Sequence, residues 1–89
     1  MVPRRSPNVT YEIVDGRAIL IDPDGRELLT LNGVGTIVWG CLDGRRDEAA
    51  LVSELADRFP EVDRATLADD VAAFLRQLEG SALIVDGAG

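Results

Sequence analysis

The sequence predicts an α+β fold, a winged helix-turn-helix in which a three-stranded antiparallel sheet is followed by three helices. The first third of the chain alternates apolar and polar residues with the period of two that half-buried strands show. The remainder spaces its apolar residues by three and four, as amphipathic helices do. With 89 residues, the chain is long enough for one small domain.

Three strands are predicted, at 9–14, 17–21 and 27–31. The Asp-Gly pair at 15–16 is typical of a two-residue type I′ hairpin turn, which needs a positive φ at both positions. The Asp-Pro-Asp-Gly sequence at 22–25 predicts a second turn, because Pro presets φ and Gly tolerates positive values. We expect these strands to form an antiparallel meander.

Three helices are predicted after the N-cap residues Asn32, Asp47 and Asp63, whose side-chain oxygens can accept a backbone N–H of the first turn. The apolar stripe of the first helix continues to residue 42. The Asp-Gly pair at 43–44 is expected to stop this helix, since Gly readily takes the left-handed conformation.

The chain is predicted to form a single domain over 1–89, with its ordered part at about 9–85. A short apolar tail at 83–85 is expected to return to the sheet, and 87–89 are expected to fray. No apolar run approaches the ~20 residues of a membrane span, and the N-terminus lacks the apolar stretch of a secretory signal. The single cysteine is compatible with a reducing compartment, so we expect a cytoplasmic protein.

Composition excludes several classes of function. Sixteen acidic residues against nine arginines and no lysine give a net charge of −7, which disfavours phosphate backbones and anionic membranes. The absence of histidine removes the commonest general base and metal ligand. Cys41 lies on an apolar stripe and is interpreted as a buried hydrophobe. Because no nucleophile has a visible base, we predict no enzymatic activity. A single cysteine without histidine excludes ordinary zinc sites, and we predict no metal and no cofactor.

The order of helices alone would also fit a winged-helix DNA-binding regulator. A recognition helix would then be the third helix, which offers Arg64 and Arg76. The same helix carries Asp69, Asp70 and Glu79, and a duplex repels such a helix. DNA binding is therefore the weaker alternative.

The predicted meander leaves the third strand, 27–31, unpaired on one side. A groove can form between this edge and the third helix, and an extended peptide could join the sheet there as a further strand. A second copy of the chain could use the same edge, so a self-associating structural domain is another alternative.

Four motifs resemble the PqqD-like family. Residues 31–39 follow its "L-N-x-x-[AG]-x-x-[IV]-[WL]" segment, and 42–44 supply the "L-D-G" turn. Helical segments at 51–59 and 70–78 follow "L-V-x-E-L-A-x-R-F" and "D-V-x-x-F-L-x-x-L". The motifs occur in the family's order, and the resemblance covers about 9–85, nearly the whole chain.

The resemblance implies a RiPP recognition element, a module that binds the leader segment of a ribosomally made precursor peptide. In that family the leader adds to the third strand, packs on the third helix and is presented to separate modifying enzymes. The domain itself has no chemistry. The positions that match the family's binding region are Glu27, Leu28, Leu29, Thr30, Asp70, Phe74, Arg76 and Gln77.

Two features concern the branch of the family. With Gly35 and Trp39, the first motif resembles that of the stand-alone leader-binding proteins of lasso-peptide pathways. Those proteins work with a leader peptidase and a cyclase. A radical-SAM enzyme is the alternative partner. The family often has "G-L-[IL]" after the last helix, whereas this chain has Ala82 in place of that glycine. We therefore expect the end of the third helix to differ.

Overall fold

The computed structural model describes residues 2–22, 24–26 and 28–87. It has the predicted α+β class, with a three-stranded antiparallel sheet and three helices. Among the described residues, no helix is both long and apolar enough to cross a bilayer. The elements in chain order are β1 (Pro3–Arg5), β2 (Thr10–Val14), β3 (Arg17–Ile21), β4 (Leu28–Thr30), α1 (Gly33–Gly40), α2 (Glu48–Arg58), α3 (Arg64–Gly80) and β5 (Ile84–Asp86).

The three predicted strands are β2, β3 and β4, paired antiparallel in that order. The β2–β3 turn has positive φ at Asp15 (53°) and Gly16 (77°), as the Asp-Gly prediction requires. Of the predicted second turn and third strand, Pro23 and Glu27 lie outside the described residues.

One face of this sheet packs on the helices. Ala18 and Leu20 of β3 are fully buried, and Leu20 lies opposite Tyr11 on β2 and Leu29 on β4. The Tyr11 ring meets the buried Trp39 ring edge to face, with centroids 5.6 Å apart. Trp39 is 1% exposed and therefore belongs to the core.

Two of the three predicted N-caps make the expected hydrogen bond. Asn32 Oδ1 accepts the N–H of Gly35 at 2.7 Å, and Asp47 Oδ1 accepts the N–H of Ala50 at 2.9 Å. Asp63 occupies the N-cap position of α3 without a side-chain hydrogen bond. The predicted starts of all three helices are confirmed.

The first helix ends earlier than predicted, at Gly40 rather than beside the Asp-Gly pair at 43–44. The guanidinium of Arg5 donates to the carbonyls of Trp39 and Gly40, at 2.9 and 3.1 Å, and so satisfies the end of α1. Leu42 is fully buried beyond the helix, and its carbonyl accepts the N–H of Arg5 at 3.1 Å. The carbonyl groups at the end of α1 are therefore bonded by a side chain of β1, which is distant in the sequence.

That strand, β1, was not predicted. It pairs antiparallel with β5 in a separate two-stranded sheet, so the apolar tail joins β1 rather than the three-stranded sheet. Pro3 is buried, and its carbonyl accepts the N–H of Gly44 at 3.1 Å. The Pro-Arg-Arg sequence at 3–5 has no strand periodicity, and the pairing depends on residues some 80 positions away.

After the end of α3, Ala82 stands where the family often has a glycine. This alanine itself takes the positive φ, 58°, that a glycine would supply. Its N–H donates to the Glu79 carbonyl at 3.0 Å, and the Leu83 N–H donates to the Leu78 carbonyl at 2.9 Å. These two bonds form a Schellman motif, which directs the chain from α3 into β5.

Candidate functional site

The third strand of the sheet, β4, has a free edge. The N–H of Leu31 donates to the Ala18 carbonyl at 2.8 Å, so Leu31 faces β3. Because backbone groups alternate along an antiparallel strand, Leu29 also pairs with β3, whereas the N–H and C=O groups of Leu28 and Thr30 point to the free edge. These outward groups can receive a further strand.

A groove of about 570 Å³ lies between this hairpin and the end of α3, and we call it the strand groove. One wall is the β3–β4 hairpin, and the other is the last turn of α3 with the residues that follow it. The described residues that line it are Leu20, Asp22, Asp24, Arg26, Leu28, Leu29, Gln77, Gly80, Ser81, Ala82 and Leu83.

A second cavity of about 320 Å³ lies where α1 meets α2 and α3, and we call it the helix pocket. Its lining is mostly apolar, which suits an apolar side chain. The described residues that line it are Asn32, Val34, Gly35, Val38, Leu55, Leu67, Asp70, Val71 and Phe74.

One face of α3 serves both cavities. Asp70 and Phe74 border the helix pocket, and Gln77 borders the strand groove. Their spacing of four and three places them on one side of the helix. A Cβ at Gly35 would lie 3.6 Å from Cε1 of Phe74 and 3.2 Å from Oδ1 of Asn32, so this glycine lets α1 approach α3 closely.

The strand groove carries more negative than positive charge among its described residues. Two carboxylates, of Asp22 and Asp24, line it against one guanidinium, of Arg26. Asp22 Oδ1 also accepts the Arg26 backbone N–H at 2.8 Å, which fixes the hairpin turn. The carboxyl end of α3 adds a partial negative charge of its dipole. This environment favours positively charged groups on whatever occupies the groove.

The only resolved pKa shift among the described residues lies elsewhere, in the connection between α1 and α2. The backbone N–H of Arg45 donates to the Asp43 carboxylate, and the Arg46 guanidinium lies 2.9 Å from it. Together they lower the pKa of Asp43 below its ordinary value of 3.8. No group of three His, Cys, Asp or Glu side chains that could hold a metal occurs in the described part of the chain.

The structure divides the predicted site residues into groups. Leu28, Leu29 and Gln77 line the strand groove, and Asp70 and Phe74 line the helix pocket.

Three further predicted residues lie outside those linings. The described lining of the two cavities includes neither Thr30 nor Arg76, and both side chains are exposed. Thr30 nevertheless belongs to the free edge of β4. Glu27 lies outside the described residues.

Several lining residues were not predicted. Asp22, Asp24 and Ala82 approach each other because the β3–β4 turn lies beside the end of α3, and only the tertiary fold brings them together. Val34 begins the apolar stripe of the first helix, yet it is 39% exposed at the rim of the helix pocket. The sequence signal that could have found them is the predicted groove itself, extended to the turn that precedes the third strand.

A free strand edge beside an open groove is the arrangement used by domains that bind an extended peptide by adding it to a sheet. Comparison with known families identifies the member of this class. The family model described as "Coenzyme PQQ synthesis protein D (PqqD)" matches residues 17–84. The chain therefore belongs to the PqqD family as a PqqD-like RiPP recognition element, which confirms the resemblance seen in the sequence.

Curated relatives match most of this chain and at least two thirds of their own length. PqqA binding protein 1 of Pseudomonas putida KT2440 is 37% identical over 65 residues, which is 73% of this chain and 67% of the relative. PqqA binding protein of Klebsiella pneumoniae strain 342 is 33% identical over 73 residues, which is 82% of this chain and 75% of the relative.

Two solved structures are similar over nearly the whole chain. TbiB1 in complex with the TbiA(beta) leader peptide has a TM-score of 0.81 and 25% identity, covering 91% of this chain and 93% of that one. Lasso peptide synthetase B1 complexed with the leader peptide has a TM-score of 0.82 and 21% identity, covering 96% and 99%. This second likeness concerns the fold.

Proposed function

We propose that this chain binds the leader segment of a ribosomally synthesised precursor peptide. The observation that carries the proposal is the free edge of β4 beside the strand groove, in a chain that belongs to the PqqD family. The leader joins the sheet as a fourth strand, bonded to the outward peptide groups of Leu28 and Thr30. Its side chains then reach the strand groove and the face of α3.

Each cavity selects a different kind of leader side chain. The helix pocket takes an apolar side chain, because Val34, Val38 and Phe74 line it. The strand groove takes a basic side chain, because Asp22 and Asp24 line it beside the carboxyl end of α3. Strand pairing supplies affinity, and these cavities supply selectivity.

The chain acts with a separate enzyme and is not itself an enzyme in this proposal. The leader peptidase and cyclase of a lasso-peptide pathway are the preferred partners, because Gly35 and Trp39 resemble the stand-alone proteins of such pathways. A radical-SAM enzyme is the alternative, supported by the match to the PqqD model. Residues 1–89 work as one cytoplasmic domain of winged helix-turn-helix type.

The first experiment titrates the chain against a fluorescently labelled leader peptide taken from the neighbouring precursor gene. We expect a change in anisotropy with a Kd of about 1 μM or tighter, which corresponds to roughly −8 kcal/mol. Unlabelled leader should compete. No binding up to about 1 mM by a folded chain would contradict leader recognition.

A proline at Thr30 tests the edge directly. Thr30→Pro removes an N–H that points away from β3 and adds a ring on the side where the leader pairs, so we expect at least tenfold weaker leader binding. Thr30→Val keeps the N–H while changing the exposed side chain, and it should bind within about threefold of the original chain. Leu29→Pro is a poorer test, because Leu29 pairs with β3.

Circular dichroism and a thermal melt accompany both variants at Thr30. If Thr30→Pro is folded and retains full affinity, the leader does not pair with β4. Duplex DNA serves as the competing probe in the same assay. Binding of the duplex that weakens with salt would favour the DNA-binding alternative instead.

A further inference from the structure

The third helix, α3, runs antiparallel to β4 and borders both cavities. Near the start of β4, Leu28 and Gln77 line the strand groove together. Beyond the end of β4, Asn32 and Phe74 line the helix pocket together. From the strand groove to the helix pocket, residue numbers therefore rise along β4 and fall along α3. The two cavities thus lie at opposite ends of the edge that can receive a further strand.

The distance between the cavities can be measured along both elements. Their lining residues on α3 are centred about eight residues apart, which is about 12 Å at a rise of ~1.5 Å per residue. On the other side, the chain runs extended from Leu28 to Asn32, whose φ and ψ are −73° and 179°. Four extended residues cover about 13 Å. The two elements therefore agree on the separation of the cavities.

A leader strand matches this separation with side chains that are four residues apart. Side chains of a strand alternate between its two faces, so those that point to α3 are an even number of residues apart. At ~3.3 Å per residue, a spacing of two covers about 7 Å and a spacing of six about 20 Å. A spacing of four covers about 13 Å and reaches both cavities at once.

The two cavities differ in the chemistry of their walls. The strand groove carries the carboxylates of Asp22 and Asp24, whereas most of the described lining of the helix pocket is apolar. Asp70, the acidic residue of that described lining, is exposed, so the walls inside the pocket remain apolar. A cation inside the helix pocket would lose its hydration, and an apolar group in the strand groove would desolvate the carboxylates. Each cavity therefore rejects the side chain that suits the other.

We propose that the chain recognises a pair of leader side chains, one apolar and one basic, that are four residues apart. The separation of the helix pocket from the strand groove selects this pair. The proposal rests on the proposed function, because both side chains belong to a strand that pairs with β4. In an antiparallel leader the apolar residue comes first, and in a parallel leader the basic residue comes first.

The test is a set of double-mutant cycles between the chain and the labelled leader peptide of the neighbouring precursor gene. Each basic residue of the leader is replaced by Gln and each apolar residue by Ala, one at a time. Every peptide is titrated by fluorescence anisotropy against the original chain and its variants. Two groups in direct contact give effects that do not add.

Asp22→Asn with Asp24→Asn alters the strand groove alone. The new amide at position 22 keeps an oxygen that can accept the Arg26 N–H, so the turn is preserved. The control is Asp15→Asn with Asp57→Asn, which removes the same charge from exposed positions outside both described linings. If the groove variant does not fold by circular dichroism, Asp24→Asn alone replaces it, since Asp24 is exposed.

Val34→Thr alters the helix pocket alone, because it adds a hydroxyl group at nearly constant volume. Its control is Val62→Thr in the α2–α3 connection, outside both described linings. The two valines are 39% and 36% exposed, so the two changes should affect folding equally little.

We expect one basic leader residue to couple with the two carboxylates of the strand groove. Its replacement by Gln should weaken binding to the original chain about fourfold, and binding to the groove variant less than about twofold. One apolar leader residue should couple with Val34 by at least about threefold. These two leader residues should be four positions apart, and neither should couple with the control variants.

The possible failures are distinguishable. Coupled leader residues at any spacing other than four would overturn the proposal while leaving leader binding intact. The same holds for a leader that binds although none of its basic residues couples with the groove carboxylates, or none of its apolar residues with Val34. A folded original chain that binds no leader up to about 1 mM would contradict the proposed function, and the recognition of the pair would fall with it.

Discussion

Ala82 occupies a backbone conformation that alanine adopts at a cost. Its φ of 58° places it in the left-handed region, where the Cβ of an L-residue is crowded, and two backbone hydrogen bonds hold it there. We expect Ala82→Gly to raise the free energy of unfolding by about 0.5–1 kcal/mol, after the larger chain entropy of glycine in the unfolded state is subtracted. The melting temperature should rise by roughly 3–6 °C.

The neighbouring residue provides the control for that substitution. Ser81 has a φ of −99°, so Ser81→Gly relieves no crowding and should leave stability unchanged or slightly lower. Urea denaturation of both variants measures the difference. An Ala82→Gly protein no more stable than Ser81→Gly would mean that the strain is absorbed elsewhere.

At this scale, local chemistry was predicted well and tertiary demands were not. Asn32 and Asp47 could be assigned as caps because a cap needs only a few adjacent residues. The positive φ of Ala82 is imposed by β5, which must leave α3 in a direction set by its partner β1. Alanine carries no sequence signal for that conformation, so only the resemblance to a glycine-containing family drew attention to it.

The element that sequence reasoning missed, β1, fastens three parts of the fold. It pairs with β5, accepts the Gly44 N–H at Pro3 and caps α1 through the Arg5 side chain. Hydrophobic periodicity could not find it, because a three-residue strand with two arginines has no pattern. The predicted strands that succeeded are those joined to their neighbours by short turns.

The Arg5 side chain of β1 should contribute measurably to the free energy of unfolding. Arg5→Ala leaves the Trp39 and Gly40 carbonyls at the end of α1 without their charged donor, and we expect it to lower the free energy of unfolding by about 1–2 kcal/mol. Arg4→Ala is the matched control, since Arg4 is exposed on the same strand, and it should cost less than about 0.5 kcal/mol. Equal effects of the two changes in urea denaturation would remove the capping role of Arg5.

The candidate site shows the same division. The free edge of β4 was predicted from strand order, whereas the positions on α3 came only from the resemblance to the PqqD-like family. The sequence did not predict two separate cavities, since the strand groove depends on the position of the β3–β4 turn beside α3 and the helix pocket on the close approach of α1 to Phe74. The acidic turn joined the strand groove for a similar reason, because its position beside α3 follows from the packing of the whole sheet.

Within the described residues, the three-stranded sheet has two edge strands, β2 and β4, and they differ in their surroundings. The β4 edge lies beside cavities that can receive a peptide, whereas the β2 edge carries exposed Tyr11, Ile13 and Val14 around a single central charge, Glu12. Exposed apolar edge strands tend to pair with each other, and a charge in the middle of the strand opposes this pairing. We therefore expect Glu12 to oppose the pairing of β2 with a second copy of the chain.

Removing that charge should allow self-association. Glu12→Thr abolishes the facing carboxylates of a β2–β2 pair, and we expect its dimerisation constant to tighten about fivefold, or ~1 kcal/mol, in sedimentation equilibrium. Glu61→Thr removes the same charge from the exposed α2–α3 connection and should change the constant less than about twofold. Salt screens the repulsion between the carboxylates. A higher salt concentration should therefore strengthen the association of the original chain more than that of Glu12→Thr. Equal self-association of the two variants would show that net charge alone, rather than the position of Glu12, keeps the β2 edge unpaired.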